Sequence, residues 1–217
     1  MNKLKSTITI LFLFTMLNLN AQVQRAVEGM SIIRENIIQY SEFTFFRDWT
    51  TVATFKSGIG ETTTFYPITF SVPDKNIKLY GLQLDALVKP QMSATTYAVG
   101  GGVPGAAVIN KDFLSRSIFI DKADVLLFID FLEKQVVPNL KTTYKKQSKE
   151  YVFKTKEMFF SFLIDEKTAR ITMHLTDYGP NGDGNWAGQQ IEFWTEAKVE
   201  NIPDLVEKLK SFSKSMK

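Results

Sequence analysis

Hydrophobic positions along the chain recur with a period of two in some stretches and of about 3.6 in others. The clearest junction between the two is Ser117–Pro138, SIFIDKADVLLFIDFLEKQVVP. Ile118, Phe119 and Ile120 form a short run of strand-forming residues. Asp121 follows at the position of a helix N-cap, and Asp124 puts a second acid at the positive end of the helix dipole. Val125, Leu126, Leu127, Phe128, Ile129, Phe131, Leu132, Val136 and Val137 cover more than one stripe, which leaves Asp130, Glu133 and Lys134 as a narrow polar face. The pattern predicts a largely buried helix that Pro138 closes. A second unit with the same grammar ends the chain. Gln190–Ala197 alternates Ile191, Phe193 and Thr195 against Glu192, Trp194 and Glu196. Asn201 then stands at a cap position, and Ile202, Leu205, Val206, Leu209, Phe212 and Met216 make one helical stripe.

Elsewhere the periodicity predicts one more helix and several strands. Val27, Met30, Ile33, Ile37 and Ile38 place a helix within Gln22–Tyr40. Phe43–Lys56 predicts a strand, Gly58-Ile59-Gly60 a turn, and Thr62–Phe70 the partner strand. Pro67 is expected to hold that partner at a sheet edge or to delay its start, because proline cannot donate to a ladder. Ile77–Val88 reads as a longer strand, with short candidates at Thr95–Val99 and Ala106–Ile109. Tyr151–Lys156, Met158–Ile164 and Ala169–Thr176 follow, and MFFSFLI in the middle one predicts burial on both faces. The fold class expected is α+β. Residues 22–217 would form a single domain, a mostly antiparallel sheet of about seven to nine strands with two or three packed helices and two strand–cap–helix units.

The N-terminus changes the picture of where the chain works. Lys3 and Lys5 precede the uncharged run Thr7–Leu17, and Asn20-Ala21 precedes Gln22, which predicts a cleaved signal peptide over residues 1–21. A bilayer span needs about 20 apolar residues, so this run is too short to be one, and no transmembrane segment is expected in the mature chain. The leader resembles the export signals of Bacteroidota, which implies a periplasmic or extracellular bacterial protein. Cleavage removes two lysines of the 26 basic residues, so 24 face 23 acidic ones and the mature chain is nearly neutral. With no base-reading motif either, nucleic acid is not an expected partner. The chain has no cysteine, which excludes a lipoprotein anchor, disulfides, thiol chemistry and Cys-ligated zinc.

Candidate chemistry is sparse. Asp121 and Asp124 could form a catalytic carboxylate pair, but their spacing fits helix capping better. The Gly100–Gly105 run lacks both the Gly-Lys-Ser/Thr ending of a P-loop and GxGxxG spacing, and reads as a turn. His174 is the only histidine, without a GxSxG elbow or HExxH partner, and reads as an ordinary strand residue. The loop Asp177–Gly188 offers oxygen donors at Asp177, Asn181, Asp183 and Asn185, and an aromatic face at Trp186 for a sugar or a partner. It fails as an EF-hand: with Asp183-Gly184 at the fifth and sixth positions, Gly179 and Gln190 would fill the first and twelfth. Its simpler reading is a turn joining two strands. Glu192 and Glu196 beside Trp194 could flank a glycosidic bond, though a solvated strand face explains them as well.

No cofactor and no metal are therefore expected. The favoured role is a non-enzymatic exported module for envelope binding or assembly. It would work through a sheet face or the 177–188 loop, with an envelope protein or a glycan as partner. The alternative is a carboxylate-based hydrolase acting on glycans, with Asp177, Asp183, Glu192 or Glu196 as its acids. A third possibility is carriage of a lipid or pigment inside an apolar barrel.

Overall fold

Period-two stretches become strands and period-3.6 stretches become helices throughout the residues that the computed structural model describes, 29–50, 53–89, 114–178, 189–195 and 199–216. The leader, the strands expected at Thr95–Val99 and Ala106–Ile109, and the Gly100–Gly105 run lie outside them. Among the described residues there are nine strands, all antiparallel, which divide between two sheets rather than forming one. In the first sheet β1 (Thr44–Arg47), β3 (Thr62–Val72), β4 (Ile77–Val88) and β5 (Leu114–Asp121) lie side by side in that order, and β2 (Ala53–Lys56) also pairs with β3. The second sheet runs β6 (Lys149–Lys154), β7 (Met158–Ile164), β8 (Ala169–Asp177), β9 (Gln189–Thr195). Three α-helices complete the described α+β fold: α1 (Ile32–Gln39), α2 (Lys122–Phe131) and α3 (Ile202–Ser215). None of the described helices is long and apolar enough to cross a membrane.

One apolar core joins the two sheets. Phe65, Leu82, Leu84, Ile118 and Ile120 of the first sheet meet Phe160, Phe162, Ile171, Met173 and Phe193 of the second, with Val125, Leu132, Leu205 and Leu209 of the α2 and α3 segments among them. Phe128 of α2 is the hub: its ring lies 6.4 Å from Phe65, 5.2 Å from Phe153 and 5.2 Å from Phe160. Each such aromatic pair adds about 0.5–1.5 kcal/mol beyond the area it buries. The stripes predicted for α3 and β8 face this core, and β7 is buried on both faces as its composition requires. Helix α2 is less enclosed than its apolar run implies, since Leu126 and Leu127 are 47% and 59% exposed.

A second, smaller cluster forms on the opposite face of the first sheet. Strand alternation turns Ile68, Phe70 and Val72 of β3 away from Phe65, and they pack with Phe119 and with Ile33 of α1. Gly81 of β4 makes this possible. A Cβ there would stand 2.3 Å from the Ile120 carbonyl oxygen and 2.5 Å from Ile33 Cδ1, so only glycine lets the helix lie this close to the sheet.

Pro67 is handled differently from the expectation. Strand β3 is internal, with β4 on one side and both β1 and β2 on the other. β1 pairs with Ile68–Ser71 and β2 with Thr62–Phe65, so the break between them falls beside Tyr66 and Pro67. The Pro67 carbonyl accepts from the Asp48 amide at 3.0 Å, which places the missing N–H on the side of the break. The single strand expected over Phe43–Lys56 is thereby cut in two.

Candidate functional site

The polar centre of the molecule was not apparent from the sequence. Glu157, in the turn between β6 and β7, is 0% exposed and reaches across to α1 and β5. The Ser31 amide and hydroxyl donate to its Oε1 at 2.8 and 2.7 Å. The Phe119 amide donates to Oε2 at 2.9 Å, and Arg34 Nε lies 3.0 Å from both oxygens. Arg34 Nη2 is 3.0 Å from Oε2 and also donates to the Ser117 carbonyl at 2.6 Å. One carboxylate therefore ties the second sheet to the start of α1 and to β5. Nearby, burial pushes the Tyr178 hydroxyl up from its usual value, and the Glu157 charge adds to the effect.

Asp121 departs from its expected role. It occupies the N-cap position of α2 but makes no side-chain cap bond there. Its carboxylate instead accepts from the Ile32 and Ile33 amides at 2.8 and 3.1 Å, and so caps α1 from across the sheet. Ser31 supplies the local cap, with its Oγ accepting from the Arg34 amide at 3.1 Å. Asn201 likewise makes no side-chain cap, because the chain enters α3 through a 3-10 turn, Val199–Asn201.

Helix α1 covers only part of the outer face of the first sheet. Beside it lies an open groove of about 500 Å³, lined by Arg34 and Ile37 of α1, Phe43, Phe45 and Arg47 of the β1 segment, Gln83 of β4, and Ser115, Arg116, Ser117 and Phe119 of β5. Strand alternation puts Phe45 and Arg47 on one face of β1, and Ser115, Ser117 and Phe119 on one face of β5. Phe45 meets Phe119 edge-on at 6.0 Å, and Phe43 lies 5.1 Å from Phe70 while remaining 39% exposed.

A hydrogen-bonded chain fixes the polar part of the groove. Arg47 Nε and Nη2 donate to Gln83 Oε1 at 3.1 and 2.8 Å. Gln83 Nε2 donates to Asp85 Oδ1 at 2.6 Å and to Ser117 Oγ at 3.2 Å, and Ser117 Oγ donates to Asp85 Oδ1 at 2.6 Å. The Arg47 guanidinium also lies over the rings of Trp49 and Tyr66, at 5.2 and 5.5 Å. Stacking and bonding together hold the side chain in one geometry.

None of the described residues singled out in the sequence as site candidates lines this groove. Asp177 ends β8 in register with Gln189 of β9, so the 177–188 loop joins two paired antiparallel strands. Asn181, Asp183, Asn185 and Trp186 are outside the described residues, as is Glu196. Glu192 and Trp194 stand opposite His174 and Thr172 in the ladder. His174 is half-buried, its ring edge-on to Phe159 at 5.6 Å. Among the described residues, no group of three His, Cys, Asp or Glu converges as a metal site requires. Compared with known proteins, the chain matches no family model and no curated sequence.

Proposed function

We propose that the chain is an exported, non-enzymatic binding module whose ligand sits in the groove beside α1, on the outer face of the first sheet. The observation that carries this reading is the mixed lining. Fixed guanidinium and amide groups stand next to part-exposed aromatic rings, the combination by which small-molecule sites orient a mostly apolar ligand with a few polar contacts. The nearby carboxylates, Asp85 and Glu157, are engaged by Arg47, Gln83 and Ser117 and by Arg34, which supports binding over acid–base hydrolysis. The leader supports export, and the ligand is accordingly one met in the envelope or outside the cell.

A thermal-shift screen of residues 22–217 against oligosaccharides, peptides and amphipathic acids tests the reading. A ligand at 100-fold its dissociation constant should stabilise by about 2.7 kcal/mol. The blocking variant is Ser115→Trp, at an exposed position of the lining. A shift seen in the parent and lost in the variant supports the groove. Equal shifts in both proteins, or turnover of a glycan by either, would refute it.

A further inference from the structure

We propose that two copies of this chain join through β1, edge against edge about a two-fold axis, on the border of the first sheet rather than in the groove and whatever the groove holds. β1 pairs with β3 along one side, and no strand lies on its other side among the described residues. The ladder fixes which main-chain groups face that open side. Arg47 stands opposite Ile68, which sets Asp48 opposite Pro67, and the Asp48 amide donates to the Pro67 carbonyl at 3.0 Å. Residues of an antiparallel ladder alternate between turning their N–H and C=O groups toward the partner strand and away from it. Asp48, Phe46 and Thr44 therefore turn theirs toward β3, and Arg47 and Phe45 turn theirs outward.

The side chains of the same stretch select what meets this edge. Among the described residues the exposed phenylalanine and tryptophan side chains are Phe43, Phe46 and Trp49, at 39%, 64% and 72%, and all belong to this one segment. Arg47, the charged residue of β1, is drawn onto the sheet face by Gln83 and by the rings of Trp49 and Tyr66. The open edge thus presents apolar rings rather than charge. It is also its own complement. With Phe46 on the two-fold axis, Phe45 of each copy faces Arg47 of the other, and every outward N–H of these residues meets an outward C=O. The same register sets Asp48 opposite Thr44, so no like charges stand across from each other. It brings Phe43 level with Trp49, and Phe46 against Phe46 at a position where side chains approach closely. On that face Phe46 borders a space of about 130 Å³ together with Asp48, Pro67, Thr69, Tyr80 and Phe212 of α3. Small-molecule pockets begin at roughly 300 Å³, so this one is of side-chain size, and the second Phe46 ring is placed to enter it.

Analytical ultracentrifugation of residues 22–217 tests this. So short a border makes a weak dimer, and the mass is expected to rise from one chain to two between roughly 1 µM and 1 mM. Over the same range hydrogen exchange should slow at the Phe45 and Arg47 amides and stay unchanged at Phe46, whose amide already faces β3. Phe46→Lys puts like charges across the axis and should remain monomeric, while melting as the parent does because the side chain is exposed. The chain has no cysteine, so Phe46→Cys reports the register. Residues paired at such a position have Cα atoms about 4.5 Å apart, within disulfide reach. With oxidised glutathione Phe46→Cys should give a cross-linked dimer, and Ile59→Cys, exposed in the turn between β2 and β3, should not. A parent that stays monomeric throughout overturns the proposal and leaves the edge to another polypeptide. A dimer that survives Phe46→Lys, or cross-linking of Ile59→Cys as fast as of Phe46→Cys, overturns it by placing the association elsewhere.

Discussion

Glu157→Gln is the most informative single change. Gln keeps the shape of the side chain and replaces one oxygen by an NH₂ group. Both oxygens face donors only: the Ser31 amide and hydroxyl with Arg34 Nε at Oε1, and the Phe119 amide with Arg34 Nε and Nη2 at Oε2. Whichever way the amide turns, its NH₂ meets a donor, and the buried Arg34 loses its counter-charge. Removing one partner of a buried ion pair costs about 3–5 kcal/mol. Domains are stable by only about 5–15 kcal/mol, so the variant should remain folded but be visibly weakened. At roughly 2–4 °C per kcal/mol for a chain of this size, melting should fall by roughly 6–20 °C. Urea unfolding and calorimetry would measure it. Arg34→Met combined with Glu157→Leu should cost less than the sum of the two single changes, because neither charge is then left alone. A Glu157→Gln protein within about 1 kcal/mol of the parent would refute the view that this carboxylate ties the sheets together.

Three further outcomes follow from the same structure. Gly81→Ala should destabilise by about 1–3 kcal/mol or more, and Ile33→Ala should not restore it, because the nearer clash is with the Ile120 backbone oxygen; denaturant unfolding of both proteins checks this. Asp121→Ala should cost about 0.5–2 kcal/mol and expose the Ile32 and Ile33 amides to hydrogen exchange while those at the start of α2 keep their rates, the reverse of what a local cap would give. In an NMR titration Asp165 should ionise below the usual 3.8, held down by the Lys167 and Thr168 amides, and Asp124 above it, raised by burial and then by the Asp121 charge. The signs differ. Stability from Asp165 is present above pH 3.8 and lost as pH falls through its lowered value, whereas the cost of charging Asp124 appears as pH rises toward its raised value.

Local pattern made most of the elements legible, and failed where a residue works at long range. The alternation of Ile171, Met173 and Leu175, and the stripe from Ile202 to Leu209, face the core because one face of each element has nowhere else to go. Pro67 was legible as a ladder defect, but a break in the neighbouring strands accommodates it, and that requires knowing which strands they are. Asp121 carries every local mark of a cap for α2, yet the amides it serves are 88 and 89 residues away. Glu157 is the extreme case. A lone acid in Thr155-Lys156-Glu157-Met158 reads as a charged turn, while its partners Phe119, Arg34 and Ser31 lie 38, 123 and 126 residues off. The groove was invisible for the same reason, since its wall comes from separate segments and only the expectation of a working sheet face pointed toward it.

The bonds that Arg34 and Glu157 make to β5 have a consequence for how copies of this chain behave together. Among the described residues β5 is the last strand of its sheet, and the ion pair takes up the Ser117 carbonyl and Phe119 amide that an added strand would pair with. A guanidinium and a carboxylate occupy them as a neighbouring strand would, so the ion pair closes that border against strand addition. β6, which borders the second sheet among the described residues, uses another device: it carries Lys149, Glu150 and Lys154, all exposed. Weakening the ion pair therefore uncovers a pairing surface as well as loosening the fold, and variants at Glu157 should be lost from solution by self-association before they are lost by unfolding.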